Sequence, residues 1–423
     1  MSDPARQLEC YLVGGAVRDA LLGQPVTDRD WVVVGSTADE MIALGFRPVG
    51  RDFPVFLHPS THDEYALART ERKTAPGYRG FAVHAKPTVT LEEDLRRRDL
   101  TINAIARDPS GHFVDPFGGE KDLRQRQLRH VSPAFREDPV RILRTARFAA
   151  RFADPRFEIA PETRDLMRLM VHCGEVDALV PERVWQELER SLTETRPSRF
   201  FEVLRECDAL AKLLPEVNNL FGVPQPVRYH PEIDSGLHTL MALDAAAGDS
   251  GDPRVAFAAL LHDLGKALTP PEWWPRHRGH ERRGVRPVNE LCDRLRAPNQ
   301  FRSLALKVCE YHLNMHNLPD LKPRTVVTLL EKLDAFRKPE MLELFAQACA
   351  ADLHGRTGHE NDPYPQQKLL MALYETAAAT DVSDLVATTR DGNQIRETLR
   401  ARRVKRVKAL RRNRPELFEI SFS

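Results

Sequence analysis

Asp28 and Asp30 stand two residues apart, just before the β-branched run Val32-Val33-Val34. Along a strand, positions i and i+2 share a face, so the two carboxylates would point the same way. Two anions on one face repel unless solvent covers them or a cation lies between them. Mg²⁺ takes carboxylate oxygens together with phosphate oxygens, and a pair of such ions serves in-line displacement at phosphorus. Fourteen residues upstream of Asp28, Val13-Gly14-Gly15 ends one predicted strand and opens a helix. Glycine lets a phosphate come close to the backbone, and a helix start offers unpaired N–H groups. Arg18 lies one turn into that helix. Singly, a tight turn with a surface arginine and an Asp-rich turn explain these residues equally well. Together they indicate phosphate held beside a divalent metal.

Two further groups carry chemistry. Arg141, Arg144, Arg147 and Arg151 fall within about 120° of one face of a helix at 100° per residue, with Ile142, Leu143, Ala146, Ala149 and Ala150 opposite. This predicts a buried side and a comb of guanidinium groups; a solvated basic face is the plainer alternative. Asp138 precedes Arg141 by one turn, and an acceptor beside a fork of donors can bond the Watson–Crick edge of a base. Farther on, the apolar run 256–261 ends in His262-Asp263-Leu264-Gly265-Lys266. Adjacent imidazole and carboxylate groups are costly to bury without a partner and form half of a transition-metal site. His238 stands upstream; His280, His312, His316 and Asp352 stand downstream.

The elements that must position these residues divide the chain. Over roughly 10–140, short β-rich runs (11–13, 31–34, 55–58, 64–68) alternate with helical stretches (16–22, ended by Gly23, and 38–44). The polar stretch 69–80, containing Pro and Gly, reads as a mobile loop. From 138 onward the apolar spacing is helical, and 221–226 (Phe-Gly-Val-Pro-Gln-Pro) reads as a linker. The expected fold is therefore α+β: a small mixed-sheet head over 1–139, a helical neck over 140–225, a helical block over 235–336, and a helical, basic tail over 340–423.

With 423 residues and 42% hydrophobic side chains, the chain suits several globular domains with sizeable cores. It has no run near the roughly 18 apolar residues of a membrane helix and no signal-peptide core, so the expectation is a cytoplasmic protein without membrane attachment. Six cysteines, widely spaced and without a CxxC pair, read as reduced thiols. Net charge is only +1, yet residues 400–414 carry nine Lys or Arg and no acid. A local patch of that kind can track a nucleic-acid backbone; a solvated helix face with Ile395, Leu399, Val404, Val407 and Leu410 beneath it is the alternative.

The first unit, Leu12 to Asp19 with Asp28-Arg29-Asp30, resembles the head of the polymerase-β-type nucleotidyltransferases, and more narrowly the class II bacterial CCA-adding enzymes and poly(A) polymerases. Arg97-Arg98-Asp99-Leu100-Thr101-Ile102-Asn103-Ala104 is similar to that family's RRDFTINA element, with Leu100 for Phe. Glu137-Asp138-Pro139-Val140-Arg141 is similar to its EDxxR element. The Leu261-His262-Asp263-Leu264-Gly265-Lys266 string resembles the HD phosphohydrolases, which points to family members with an HD domain.

The resemblance implies an enzyme that adds or repairs the 3′-terminal CCA of tRNA from CTP and ATP, with bases chosen by Asp138 and Arg141. It implies Mg²⁺ on Asp28 and Asp30, and Gly15, Arg18, Arg98, Arg144 and Arg147 around the nucleotide. Asp99 and Asn103 would orient the arginines and ribose or serve as structural caps. In the HD block it implies His238, His262, Asp263 and Asp352 on a divalent transition metal such as Ni²⁺, giving phosphatase, 2′,3′-cyclic phosphodiesterase or 2′-nucleotidase activity. His277 and His316 are expected at the surface or in support. The chain is expected to work as a monomer or homodimer. A poly(A) polymerase or A-adding relative, and an HD phosphohydrolase with a nucleotide-sensing head, are the alternative readings.

Overall fold

β-branched runs separated by Gly and Pro punctuation build the head. The computed structural model describes residues 3–49, 55–73, 81–228, 230–381, 383–384 and 390–419. It divides into two compact units, one running to Glu187 and including Glu202–Leu213, the other formed by Leu188–Phe201 and the chain from Leu214 onward.

In the first unit, strands β1 (Glu9–Val13), β2 (Asp30–Val34), β3 (Arg47–Val49), β4 (Val55–Leu57) and β5 (Glu64–Leu67) form most of one sheet. A separate hairpin joins β6 (Thr70–Lys73) and β7 (Phe81–His84). Strands β8 (Ala106–Arg107) and β9 (Phe113–Val114) complete the seven-stranded sheet, ordered β3-β4-β5-β2-β1-β8-β9. It is mixed: β2 and β5 run parallel, while β1 runs antiparallel to both β2 and β8. The period of two sorts the strand side chains. Val33 joins Met41, Phe46, Phe56 and Tyr65 on one face, and Val32 joins Val13, Leu95 and Ala106 on the other.

The strand expectations over 11–13, 31–34, 55–58 and 64–68 match β1, β2, β4 and β5 to within two residues at each end. The loop expected over 69–80 is corrected at its start, because Thr70–Lys73 pairs with Phe81–His84; residues 74–80 lie outside the described residues. The first arm, Thr-Glu-Arg-Lys, is polar throughout, which hides it from a hydrophobic-pattern reading.

Helix α1 (Gly15–Leu21) follows β1 directly, with Gly14 as its N-cap at φ +68°, a region L side chains avoid. Helix α2 (Val140–Arg151) carries the arginine comb, and α3 (Pro181–Ser191) follows later in the chain. In the second unit the elements of interest are α4 (Ser235–Ser250), α5 (Pro253–Leu261), the short α6 (His280–Arg283), α7 (Asn299–His316), α8 (Glu340–His354) and the basic α9 (Gly392–Asn413). Every residue of α5 from Val255 to Leu261 is buried, as expected of a helix apolar all round at a bundle centre. It packs against α4, α7 and α8. The stretch read as a linker is packed into this unit: Gln225 is buried and accepts from Lys266 Nζ at 2.7 Å. Among the described residues, no helix is long and apolar enough to cross a membrane.

Candidate active sites

The β1–β2 register sets the first site. Val13 lies opposite Asp30, so the second aspartate stands beside the Gly14-Gly15 turn. β2 begins at Asp30, so Asp28 precedes the strand rather than sharing a pleat with it; the reading of both aspartates on one strand face is corrected in that detail. On the other side of β2, Asp30 pairs in register with Glu64; its place on a strand allows a third metal carboxylate or an exposed strand residue, and the pairing sets it beside Asp30.

Asp30 and Glu64 line a cleft of about 590 Å³ whose wall includes nine arginines against four carboxylates. Asp30 reaches solvent, but the cleft walls withdraw enough water to raise its pKa; Arg98 opposes the shift and Asp28 adds to it. Charge repulsion at an unbalanced carboxylate is what a divalent cation relieves, so these oxygens fit Mg²⁺.

Arg18 is buried. Its Nε donates to Asp19 Oδ1 at 2.8 Å and its Nη1 to Asn103 Oδ1 at 2.6 Å, and its guanidinium lies 5.0 Å from the Phe148 ring centroid. Asn103 Nδ2 donates to Asp99 Oδ1 at 3.0 Å, and Arg144 Nε to Asp99 Oδ2 at 2.8 Å. Burial alone would raise the Asp99 pKa, but Arg144 and the Asn103 amide overcome it and hold the group well below the carboxylate range. Asp99 and Asn103 therefore orient arginines. Arg98 leans on Asp94 Oδ2 at 3.2 Å, and a Cβ at Gly14 would come within 3.1 Å of Arg98 Nη1. The second half of the glycine pair is less tightly set: a Cβ at Gly15 would lie 3.5 Å from Arg18 Nη2, an ordinary contact.

The comb on α2 is wedged into the protein rather than solvated. Arg141 and Arg147 are each 8% exposed. Arg147 Nε donates to Glu187 Oε2 on α3 at 2.7 Å. Arg141 donates to the carbonyls of Ala134 (3.0 Å) and Arg97 (2.6 Å). Asp138 instead accepts a fork from Arg183 on α3, at 2.9 and 2.7 Å. The guanidinium that forks onto Asp138 comes from 45 residues downstream, a partner that spacing along one helix could not reveal. The sequence string Glu182-Arg183-Val184-Trp185-Gln186-Glu187 places Arg183 and Glu187 one turn apart, and that spacing was the available clue.

The second cluster lies wholly in the second unit. His238 sits in the first turn of α4, His262 caps α5, and Asp352 lies near the end of α8; all three are buried, as is Asp263. His238 Nδ1 is 3.0 Å from Glu232 Oε1, and its Nε2 is 3.0 Å from Asp352 Oδ1. Burial would lower the His238 pKa; its hydrogen bonds to Asp352 and Glu232 reverse that and raise it. His262 Nδ1 donates to the Ala259 carbonyl at 2.7 Å, which directs the lone pair of Nε2 at Asp263 Oδ2, 2.9 Å away, and Asp352 Oδ1, 3.9 Å away. His238 Nε2, His262 Nε2 and a carboxylate oxygen of Asp352 thus lie within 4.8 Å of one another. Converging acceptors with few protons to share fit a divalent ion taking nitrogen and oxygen ligands.

Lys266 Nζ stands 2.5 Å from Asp263 Oδ2, and Arg356 Nη2 3.1 Å from Asp352 Oδ1. His316 supports Asp352, with Nε2 2.6 Å from Oδ2 and Nδ1 3.0 Å from the Tyr364 hydroxyl. His277 is not at the surface: it is buried between Thr269 Oγ1 and the Pro224 carbonyl.

Three family models match in order: the poly A polymerase head domain over 10–129, the probable RNA- and SrmB-binding site of polymerase A over 156–221, and the HD domain over 237–346. The multifunctional CCA protein of Thioalkalivibrio sulfidiphilus is 62% identical over 404 residues, 96% of this chain and 99% of that one. This chain belongs to the multifunctional CCA protein family. Another member, from Methylococcus capsulatus, is 60% identical over 96% of this chain and 95% of its own. Beyond the family, a CCA-adding enzyme in an apo form shares the fold at TM-score 0.66 and 22% identity, covering 95% of this chain and 88% of its own. The Thermotoga maritima CCA-adding enzyme complexed with tRNA does so at TM-score 0.62 and 21% identity, covering 99% and 92%. The chain thus has the expected α+β plan of mixed-sheet head and helical remainder.

Proposed function

We propose that the head builds and repairs the CCA end of tRNA from CTP and ATP without a nucleic-acid template, releasing pyrophosphate. The carrying observation is the register of Asp30 against Val13, which sets a carboxylate beside the glycine turn at the mouth of an arginine-lined cleft. Asp28 and Asp30, with Glu64 alongside, would hold Mg²⁺, which when bound lowers the cost of charge on the attacking and leaving oxygens. Gly14 and Gly15 admit the triphosphate close to the backbone. Arg98 and the α2 arginines balance its charge, in positions kept by Asp94, Asp99 and Glu187. Asp138 with its arginine partners reads the base edge; Arg183 holds the carboxylate, and Arg141 would have to leave its carbonyl contacts to join. The tRNA 3′-hydroxyl attacks the α-phosphate, and the α-phosphate to β-phosphate bond breaks to release pyrophosphate.

The test uses a tRNA transcript ending at the discriminator base, with ATP, CTP and Mg²⁺, and sequences its 3′ ends. Addition that stops at CCA is expected. Long A tails, or A added only to CC-ended tRNA, would replace this reading with the poly(A) or A-adding alternative.

The buried His238, His262 and Asp352 group, with Asp263 adjoining, supports a second activity: metal-dependent hydrolysis of phosphate monoesters or 2′,3′-cyclic phosphates. A bound cation would supply an activated water, and a Ni²⁺-like ion matches the imidazole-rich ligand set. His262→Ala should abolish release of phosphate from a 2′,3′-cyclic nucleotide. The α9 face bearing exposed Lys405, Lys408 and Arg412 would contact the tRNA backbone. A tRNA substrate and six free thiols suit the cytoplasm.

A further inference from the structure

Residues 271–286 (Pro-Glu-Trp-Trp-Pro-Arg-His-Arg-Gly-His-Glu-Arg-Arg-Gly-Val-Arg) carry five arginines and two acids. Three inward side chains pin this segment. Trp274 Nε1 donates to the Thr269 carbonyl at 3.2 Å. His277 Nε2 lies 2.7 Å from the Pro224 carbonyl, and His280 Nε2 lies 3.1 Å from Asp263 Oδ1 in the HD centre. The residues between them face out: Trp273, Arg276 and Arg278 are exposed. Trp273 leaves 43% of its surface in water, and the Arg283 guanidinium lies over its ring, 4.9 Å from the centroid. Arg286 is paired with Glu290 at 2.7 Å, whereas Arg276 and Arg278 form no ion pair among the described residues. Arg278 is two residues from His280, so the two Cα atoms lie within about 7 Å of each other. Unbalanced guanidinium groups and an open indole thus border a centre suited to phosphate chemistry.

We propose that Trp273, Arg276 and Arg278, with Arg283 backing the indole, form a docking surface for a single-stranded RNA 3′ end. Such a strand supplies both things the surface lacks. Its phosphates meet the guanidinium groups, and its base faces stack on the indole, which accepts any base. A duplex would offer the phosphates but keep its base faces stacked on one another. An acidic peptide would use the charges and leave the indole idle. These residues belong neither to the head cleft nor to α9. The choice of an RNA end as occupant rests on the phosphohydrolase reading above, because the segment that carries the surface also carries His280 into the HD centre.

The test uses full-length protein and a single-stranded RNA trinucleotide with 4-thiouridine at its last position and a 2′,3′-cyclic phosphate end. The two are mixed in EDTA and irradiated, and the crosslinked peptides are identified by mass spectrometry. Crosslinks within residues 271–283 are expected, and they should fall about tenfold in the double variant Arg276→Glu, Arg278→Glu. Crosslinks confined to other segments overturn the surface, whatever the HD centre hydrolyses. In Ni²⁺-containing buffer, the double variant should raise KM for the trinucleotide about tenfold more than KM for a 2′,3′-cyclic mononucleotide, with kcat held. Equal shifts for both substrates overturn the surface, as arginines that serve an acidic protein would give. If the wild type hydrolyses neither substrate, the phosphohydrolase reading fails and the crosslinks alone decide the surface.

Discussion

Asp30 sits where the glycine turn, the Glu64 strand and the arginine cleft meet, so its ionisation gates the head. Its pKa is raised by loss of water, opposed by Arg98 and reinforced by Asp28. The form that binds a cation is the carboxylate, so transfer is lost as pH falls through the raised value. The acid limb of the rate profile should therefore lie above the ordinary aspartate value of about 3.9. Asp30→Asn should lower nucleotide incorporation at least about 10²-fold, measured with labelled ATP on CC-ended tRNA, while circular dichroism stays unchanged. Arg183 meets Asp138 with a two-pronged fork, which lysine cannot reproduce. Arg183→Lys should raise KM for CTP roughly tenfold and relax discrimination against UTP. A steady-state comparison of the four nucleotides checks this; unchanged selectivity would remove Arg183 from base reading.

At the scale of elements, α2 and α3 are tied through charge. Arg147 and Glu187 are both buried, and removing Glu187 takes away the carboxylate that faces the Arg147 and Arg144 guanidinium groups. Glu187→Ala should cost about 3 kcal/mol, read as a shift in the urea midpoint of full-length protein. The HD motif depends on a backbone crossing in the same way. A Cβ at Gly265 would collide with the His280 carbonyl and lie 2.6 Å from Gly284 N. Gly265 is small because α6 must come close enough for His280 to reach Asp263. Gly265→Ala should destabilise the second unit by roughly 1–3 kcal/mol, with little effect on CCA addition. Calorimetry and a CCA-addition assay together test it.

Across the whole molecule, the two chemical sites belong to different compact units, and each is built from its own unit's residues. Their activities should separate. His262→Ala should lose cyclic phosphodiesterase activity yet complete CCA ends at near the wild-type rate, and Asp30→Asn should do the reverse. An assay of both activities on both variants decides, and joint loss in His262→Ala would contradict independent sites. The local basic helix on a nearly neutral chain also implies that tRNA binding weakens steeply with salt.

The sequence alone determined β1, β2, β4, β5, α1, the arginine-bearing α2 and the histidine–aspartate centre. These rest on local rules: period two in β1 and β2, period 3.6 in α2, glycine where the backbone turns, and adjacent chemistry at residues 262 and 263. It did not name most partners that come from afar. Strand pairing sets Glu64, an open candidate on its strand, beside Asp30. Arg183 reaches Asp138 because α3 brings it there. Glu232 orients His238 from the loop before α4. Residue types and spacing fix what a side chain can do; the packing of helices and the hydrogen-bond direction at each ring decide which partner it does it with, because those choices are made between segments that share no local pattern.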